Sequence, residues 1–317
     1  MEALFYEQLT AEKVKCTLCP HNCIIATGKK GFCGVRENKN GKLYSLVYGK
    51  PCSLAVDPIE KKPLYHFYPG EKVFSLATVG CNLDCAWCQN SSISKTQEII
   101  APYGTVSPKK IITLCTEAVC SIIAFTYTEP TVYYEYMLAI AKEAKKVGIR
   151  TVLVSNGYIN EKALFTLLPY IDAANIDLKL FDEKKYLTWT KGKLAPVLDT
   201  LIRIKQAGVH LELTTLVVPD VNDDTKKAEE MYDWIVRHLG KDQIVHISRF
   251  YPCYKLTHKE PTPSPTMQAI ATIAQKKLDY VYLGNMGEKS YAMCPNCGKK
   301  AIKKQCSCGC VIPGVFE

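Results

Sequence analysis

From residue 73 onward, short β-branched runs alternate with amphipathic ones, and this alternation constrains the fold more than any other feature of the chain. "VFSLATVG" (73–80), "SIIAFTYTEP" (121–130), "RTVLVSNGY" (150–158), "AANIDLKL" (173–180), "HLELTTLVVP" (210–219), "QIVHISRF" (243–250) and "YVYLGN" (280–285) read as strands. Helical stretches fall between them: 132–148 ended by Gly148, "NEKALFTLLPYI" with Asn160 as its N-cap, 195–208 stopped by Gly208, then 225–240 and 265–278. Such alternation means parallel strands joined by crossover helices. Six or seven units favour an α/β fold that is a full or partial (β/α) barrel rather than an open sheet. Functional groups then collect in the loops after the C-terminal ends of the strands. The expected division is a Cys-rich N-terminal extension (1–70), the barrel (71–288) and a small C-terminal tail (289–317).

Sixteen cysteines in 317 residues fall mainly into three groups. The central one, "CNLDCAWCQN", carries Cys81, Cys85 and Cys88 directly after the first strand. Structural zinc sites are closed by four protein ligands, whereas a catalytic metal keeps an open position. Two readings follow: a zinc site completed by a distant His or Cys, or a cluster with one corner left free. Thiolates select soft metals and iron–sulfur clusters. Cys115 and Cys120 lie in an apolar run and read as small core residues.

C-x3-C-x2-C with an aromatic, Trp87, before the last cysteine resembles the signature of radical S-adenosylmethionine (SAM) enzymes. The likeness extends to "YTEPT" (127–131), "SNGY" (155–158), "DLK" (177–179) and "VVPDVND" (217–223), which have counterparts in pyruvate formate-lyase activating enzymes. The order "CTLCPHNC", "CGVREN", "LYSLVYGKP", "VDPIEKKPLYHF" is similar to the radical SAM member of the AmmeMemoRadiSam system. The resemblance covers essentially the whole chain and implies a barrel of the radical SAM type. It implies a [4Fe–4S] cluster on Cys81, Cys85 and Cys88, with S-adenosyl-L-methionine chelating the open iron. It also implies reductive cleavage to a 5′-deoxyadenosyl radical that abstracts hydrogen from a substrate. By the same resemblance Glu129 holds the SAM amino group, Asp177 the ribose or amino group, and Lys179 a carboxylate. Trp87 lines the adenine pocket, with Ser155 and Asn156 as weaker candidates. Each has a plainer reading: a helix N-terminal acid for Glu129, a strand-end ion pair for Asp177 and Lys179, packing for Trp87.

The outer groups offer closed ligand sets. Cys16, Cys19, Cys23 and Cys33 supply four thiolates within 18 residues. Zinc and a second iron–sulfur cluster both fit them, and a metal-free loop is the remaining reading. In the tail "CPNCGKKAIKKQCSCGC", "CPNCG" is a zinc-knuckle turn. Related tails close with a second C-x2-C, but here Gln305 stands where a cysteine is expected. The zinc ligands are expected to be Cys294, Cys297, Cys306 and Cys308, with Cys310 as a competitor for one place. So short a segment needs a metal staple, because it cannot bury enough apolar surface alone.

Forty Lys and Arg against 31 Asp and Glu give a net charge of +9, spread along the chain. No RNA- or DNA-binding motif accompanies it, so nucleic acid is not expected as a partner. The start "MEALFYEQLTAEKVKC" has neither the apolar region nor the cleavage site of a secretory leader. No run approaches the 18 or so apolar residues of a membrane helix. The expectation is a cytoplasmic enzyme in a reducing, anaerobic setting, served by a reductant such as flavodoxin or ferredoxin and acting on an unidentified substrate, a protein among the candidates. Two other classes stay open: a non-catalytic zinc-ribbon interaction module and a multi-cluster electron carrier.

Overall fold

The computed structural model describes residues 1–96, 98–287 and 291–316. The N-terminal extension opens with β1 (Tyr6–Gln8), β2 (Val14–Cys16) and β3 (Ile24–Ile25), a small antiparallel sheet, followed by the hairpin β4 (Arg36–Lys39) and β5 (Lys42–Ser45). β6 (Ser53–Pro58) then joins the main sheet as an antiparallel edge beside β7 (Lys72–Ala77). Parallel strands follow in chain order: β8 (Ile122–Phe125), β9 (Arg150–Ser155), β10 (Ala173–Asp177), β11 (His210–Val217), β12 (Ile244–Arg249) and β13 (Tyr280–Gly284). The helices are α1 (Ser91–Ser94), α2 (Pro108–Glu117), α3 (Tyr134–Lys146), α4 (Glu161–Leu167), α5 (Glu183–Thr190), α6 (Leu194–Gln206), α7 (Thr225–Leu239) and α8 (Ser264–Gln275). None among the described residues is long and apolar enough to cross a membrane.

This is an α/β fold around a central, mostly parallel sheet. Among the described residues the sheet does not close into a full barrel: β6 and β13 end the eight-stranded order without pairing with each other. The strands are shorter than their apolar runs. β7 stops at Ala77 and β8 at Phe125, which releases residues 78–80 and 126–130 into loops.

Alternation along each strand gives the sheet two buried faces. Phe74, Leu76, Ile123, Phe125, Leu153, Ile176, Leu213 and Val245 pack in the same core as the apolar stripes of the helices. The opposite face carries Val73, Ile122, Ala124, Val152 and Ala173, covered by Ile59, Leu64 and Phe67. Residues 63–68 thus run across the inner face. Asn175 donates to Pro63 O at 2.7 Å, and the Glu212 carboxylate accepts from Tyr65 N at 3.0 Å and His66 N at 2.8 Å.

The tail closes over this segment. His66 bonds Pro313 O at 2.7 Å and Tyr282 Oη at 2.6 Å through its two ring nitrogens. Val315 N donates to His66 O at 2.8 Å, and Tyr68 N to Val315 O at 2.7 Å. Gly314 passes so close that a Cβ there would lie 2.3 Å from His66 O. The expected boundary at residue 288 lies outside the described residues.

Asn160 occupies the N-cap position of α4, but its side chain does not cap the helix. Its Nδ2 donates instead to Thr17 O at 2.8 Å and Asn22 Oδ1 at 3.2 Å, fastening the first cysteine loop. The amide is spent on a contact 143 residues away, which no local pattern encodes.

Candidate functional site

Residues 78–90 leave the sheet at the C-terminal end of β7 and carry Cys81, Cys85 and Cys88. Gly80 makes the turn at φ +100°, where side chains are strained. A Cβ there would also meet Val35 Cγ1 at 2.7 Å and Cys33 O at 3.0 Å, so this loop abuts the N-terminal cysteine segment. The far side of the loop is seamed to two others. Asp84 N donates to Thr190 O at 2.7 Å, Ala86 N to Trp189 O at 3.2 Å, and Lys255 N to Ala86 O at 3.1 Å. Asp84 is further paired with Lys255 at 2.7 Å and Lys95 at 3.7 Å.

Burial pushes the Cys81 thiol up to about 12, with Lys95 pulling the other way. It pushes Cys85 to about 11, opposed by Lys179. Metal binding requires thiolates, and a cation beside each thiol eases that ionisation. Cys88 Sγ lies 3.1 Å from Ser94 Oγ.

Glu129 is buried at the end of β8 and heavily used. Its Oε1 accepts from Thr131 N at 3.0 Å, Thr131 Oγ1 at 2.7 Å and Ser155 Oγ at 2.8 Å. Its Oε2 accepts from Asn156 N at 2.9 Å, and the remaining acceptor capacity of the carboxylate is there. Burial outweighs these bonds and raises its pKa. Glu129 therefore joins β8 to β9 as well as facing the field of Cys81.

Asn156 and Asn82 complete the joint. Asn156 Nδ2 donates to Asn82 Oδ1 at 2.9 Å and lies 3.9 Å from Cys81 Sγ, while Asn82 Nδ2 donates to Tyr158 O at 2.7 Å. Sequence reasoning missed Asn82 and Lys95. Their positions inside and just after the cysteine loop are a signal only once the loop is known to fold back on β9.

Asp177 and Lys179 pair with each other at 2.8 Å. Burial would lower Lys179, but Asp177 and the Cys85 thiol beside it hold the ammonium above the usual lysine range. Trp87 is buried, 6.4 Å from the Trp189 ring, and its carbonyl accepts from Cys253 Sγ at 3.3 Å.

The structure keeps the outer cysteine groups apart. Cys16, Cys19, Cys23 and Cys33 line one cavity with Arg36 and Asn82. In the tail, Cys294, Cys297, Cys306 and Cys308 lie with all four sulfurs within 4.8 Å of one another. Their closest pairs, Cys294 with Cys308 and Cys297 with Cys306, are both 3.5 Å apart. A tetrahedral site with Zn–S bonds of about 2.3 Å has sulfurs roughly 3.8 Å apart. The tail therefore holds a four-thiol group of metal-binding geometry. Cys310 stands outside it.

The profile of the Radical SAM superfamily matches residues 75–235, which span the sheet from β7 through most of α7. The uncharacterized protein MJ0808 of Methanocaldococcus jannaschii is 45% identical over 308 residues, covering 96% of this chain and 91% of that one. The (2S)-3-sulfopropanediol dehydratase activating enzyme of Klebsiella oxytoca is 30% identical over 112 residues, 35% of each chain. Among solved structures, Streptococcus suis SuiB bound to its precursor peptide SuiA superposes with a TM-score of 0.53 at 12% identity, over 72% of this chain and 51% of that one. That likeness concerns the fold alone.

Proposed function

The chain belongs to the radical SAM superfamily, and from that premise we propose that it is a hydrogen-abstracting enzyme of the activating-enzyme type, acting on a protein substrate. The carrying observation is the setting of Cys81, Cys85 and Cys88. They lie on one strand-end loop, braced by Asn156 and flanked by Lys95 and Lys179. Their three sulfurs do not form a mutual group within 4.8 Å among the described residues, unlike those of the tail. The wider spacing and all-thiol donor set suit a polynuclear cluster better than a single zinc ion.

A [4Fe–4S] cluster held by Cys81, Cys85 and Cys88 would, with bound SAM, supply one-electron radical chemistry. The chain's own residues bind and orient. Cys81, Cys85 and Cys88 would be the protein ligands of that cluster. Glu129, fixed by Thr131, Ser155 and Asn156, offers Oε2 to the cofactor's ammonium. Lys179 and Asp177 present a partnered charge pair at the end of β10, and Trp87 packs beneath the loop. Holding the reacting groups close is the main contribution such a site makes, because the radical takes the nearest hydrogen.

Within the superfamily we place the chain with the AmmeMemoRadiSam group, on the order of its N-terminal motifs. The protein substrate rests on relatives named as activating enzymes, among them the Klebsiella oxytoca protein and a 4-hydroxyphenylacetate decarboxylase activating enzyme. A cytoplasmic low-potential donor of the flavodoxin or ferredoxin class completes the scheme. The cysteine groups of the N-terminal extension (1–70) and of the tail (289–317) act as metal-binding additions to the catalytic unit, although β6 and residues 63–68 of the extension are built into its sheet.

The test is anaerobic reconstitution with iron and sulfide, followed by SAM and dithionite. The wild-type chain should form 5′-deoxyadenosine, and a Cys81→Ala, Cys85→Ala, Cys88→Ala variant should form none. A non-catalytic zinc module or a plain electron carrier would leave SAM intact in both.

A further inference from the structure

The central cysteine loop rests on the last turn of α5. Asp84 N and Ala86 N donate to Thr190 O and Trp189 O. Gly192, just beyond the helix, lets the two approach: a Cβ there would lie 2.5 Å from Leu83 Cδ2 and 3.5 Å from Tyr186 Cε1. The Tyr186 ring thus packs under the loop, and it is 0% exposed.

Its hydroxyl has no hydrogen-bond partner. The large majority of buried side-chain polar atoms are paired, so the exception asks for a physical reason. Burial holds the phenol far above its usual range, with Lys179 pulling the other way and Cys85 and Asp177 adding to the rise. The group is therefore a neutral O–H with a proton to donate. Lys179 is a cation and offers no acceptor, and Asp177 is already paired with it at 2.8 Å.

The three thiols of the loop are unequal. Cys81 Sγ accepts from Leu83 N at 3.4 Å and lies 3.9 Å from Asn156 Nδ2. Cys88 Sγ lies 3.1 Å from Ser94 Oγ. No hydrogen bond reaches Cys85 Sγ among the described residues, although the thiol is buried. A sulfur without a donor and a phenol without an acceptor thus share one corner of the site.

We propose that Tyr186 donates its O–H to a sulfur at the Cys85 corner of the cluster, and so raises the potential at which that cluster takes up an electron. This rests on the cluster reading of the central loop given above. A hydrogen bond to a cluster sulfur favours the reduced state, which carries more negative charge. Of the nearby groups, the phenol supplies such a bond without adding a charge to the site.

The test compares the anaerobically reconstituted full chain with Tyr186→Phe, which removes one oxygen and keeps the ring. A reductive titration follows, by electron paramagnetic resonance, the signal that the Cys81→Ala, Cys85→Ala, Cys88→Ala variant lacks, so the outer cysteine groups do not enter. Tyr186→Phe should make reduction about tenfold less favourable, a midpoint lower by about 59 mV, with iron and sulfide content unchanged. An unchanged midpoint at full iron content overturns the proposal, because Tyr186 then only packs. Should Tyr186→Phe fail to hold the cluster, wild type carrying the magnetic isotope of oxygen in its tyrosine hydroxyls decides. An oxygen hyperfine coupling on the same signal supports the bond, and its absence overturns it. The functional reading is scored separately, by 5′-deoxyadenosine formation. A shifted midpoint in a chain that leaves SAM intact sinks that reading and keeps this one, whereas a wild-type chain without the central signal ends both.

Discussion

Arg36 and Glu135 form a buried ion pair at 2.9 Å, each side chain 2% exposed, and it clamps the N-terminal extension onto the first turn of α3. Glu135 also accepts from Leu4 N at 2.8 Å. The pair thus anchors two segments of the extension to the helix that follows the Glu129 turn. Removing one partner leaves the other buried and uncompensated, at a cost of about 3–5 kcal/mol. Arg36→Met should lower unfolding stability by that order, and the double variant Arg36→Met, Glu135→Met should regain part of it. Anaerobic denaturant titration of the metal-replete proteins checks both.

Asn156→Ala should loosen the central loop without unfolding the chain. It strands Asn82 Oδ1 and withdraws the donor beside Cys81, a loss of about 1–3 kcal/mol. Iron retained at the central site after gel filtration should fall, while zinc in the tail stays constant. Elemental analysis reads both at once.

Gly80→Ala combines a forbidden backbone region with a clash against Val35 and Cys33 O. Strain of this kind costs about 1–3 kcal/mol before the clash is counted. The expected result is a lower thermal midpoint together with loss of iron from the central loop, scored by differential scanning fluorimetry and iron assay.

The register of the tail has its own test. Cys310→Ser should leave zinc binding unchanged, because Cys310 stands outside the four-sulfur group. Cys306→Ser and Cys308→Ser should each abolish or sharply weaken it. Competition with a chromogenic chelator ranks the variants.

Acidification should destabilise the inner face of the sheet. Burial would raise the Glu212 carboxyl, but hydrogen bonds from His210 and His246 outweigh it and hold the group well below the usual 4.5. A carboxyl depressed in this way adds stability that is complete above the unfolded value and fades as pH falls toward the folded one. Burial lowers His66 from 6.5, partly offset by Glu212 and the Pro313 carbonyl, so it stays neutral in the folded chain while the unfolded chain takes up a proton first. Its contribution also fades on acidification. Urea midpoints should therefore decline below about pH 6.5 and more steeply below about pH 4.5. Glu212→Gln should flatten the lower part of that decline.

Much of this was legible in the chain. The seven parallel strands, and α3, α6, α7 and α8, follow from apolar periodicity and terminal glycines, which are local signals. α2 and α5 do not stand out in the sequence, although Ser107 before Pro108 and Asp182 at the start of α5 are N-caps that accept from Lys110 N and Lys185 N. The stripe of α5 is weak, and that of α2 merges into the apolar run that continues to β8. The antiparallel pairing of β6 with β7 is not legible in the chain, because pairing direction is a tertiary property. In the site, the cysteines announced themselves by spacing. The pairing of Asp177 with Lys179, the bonds of Glu129 to Ser155 and Asn156, and the diversion of Asn160 to the N-terminal loop depend on elements distant in sequence meeting in space.

Residues 313–315 grip a segment that itself rests on β10, β11 and β13. The tail can reach its seat only on a finished sheet. Cys294, the one buried thiol of the tail, is thus a clock for the maturation of the whole chain: open to an alkylating reagent while any inner strand is missing, and shielded beside Tyr65, Tyr280 and Tyr282 once the last one is laid, whereas Cys297 and Cys308 stay exposed throughout.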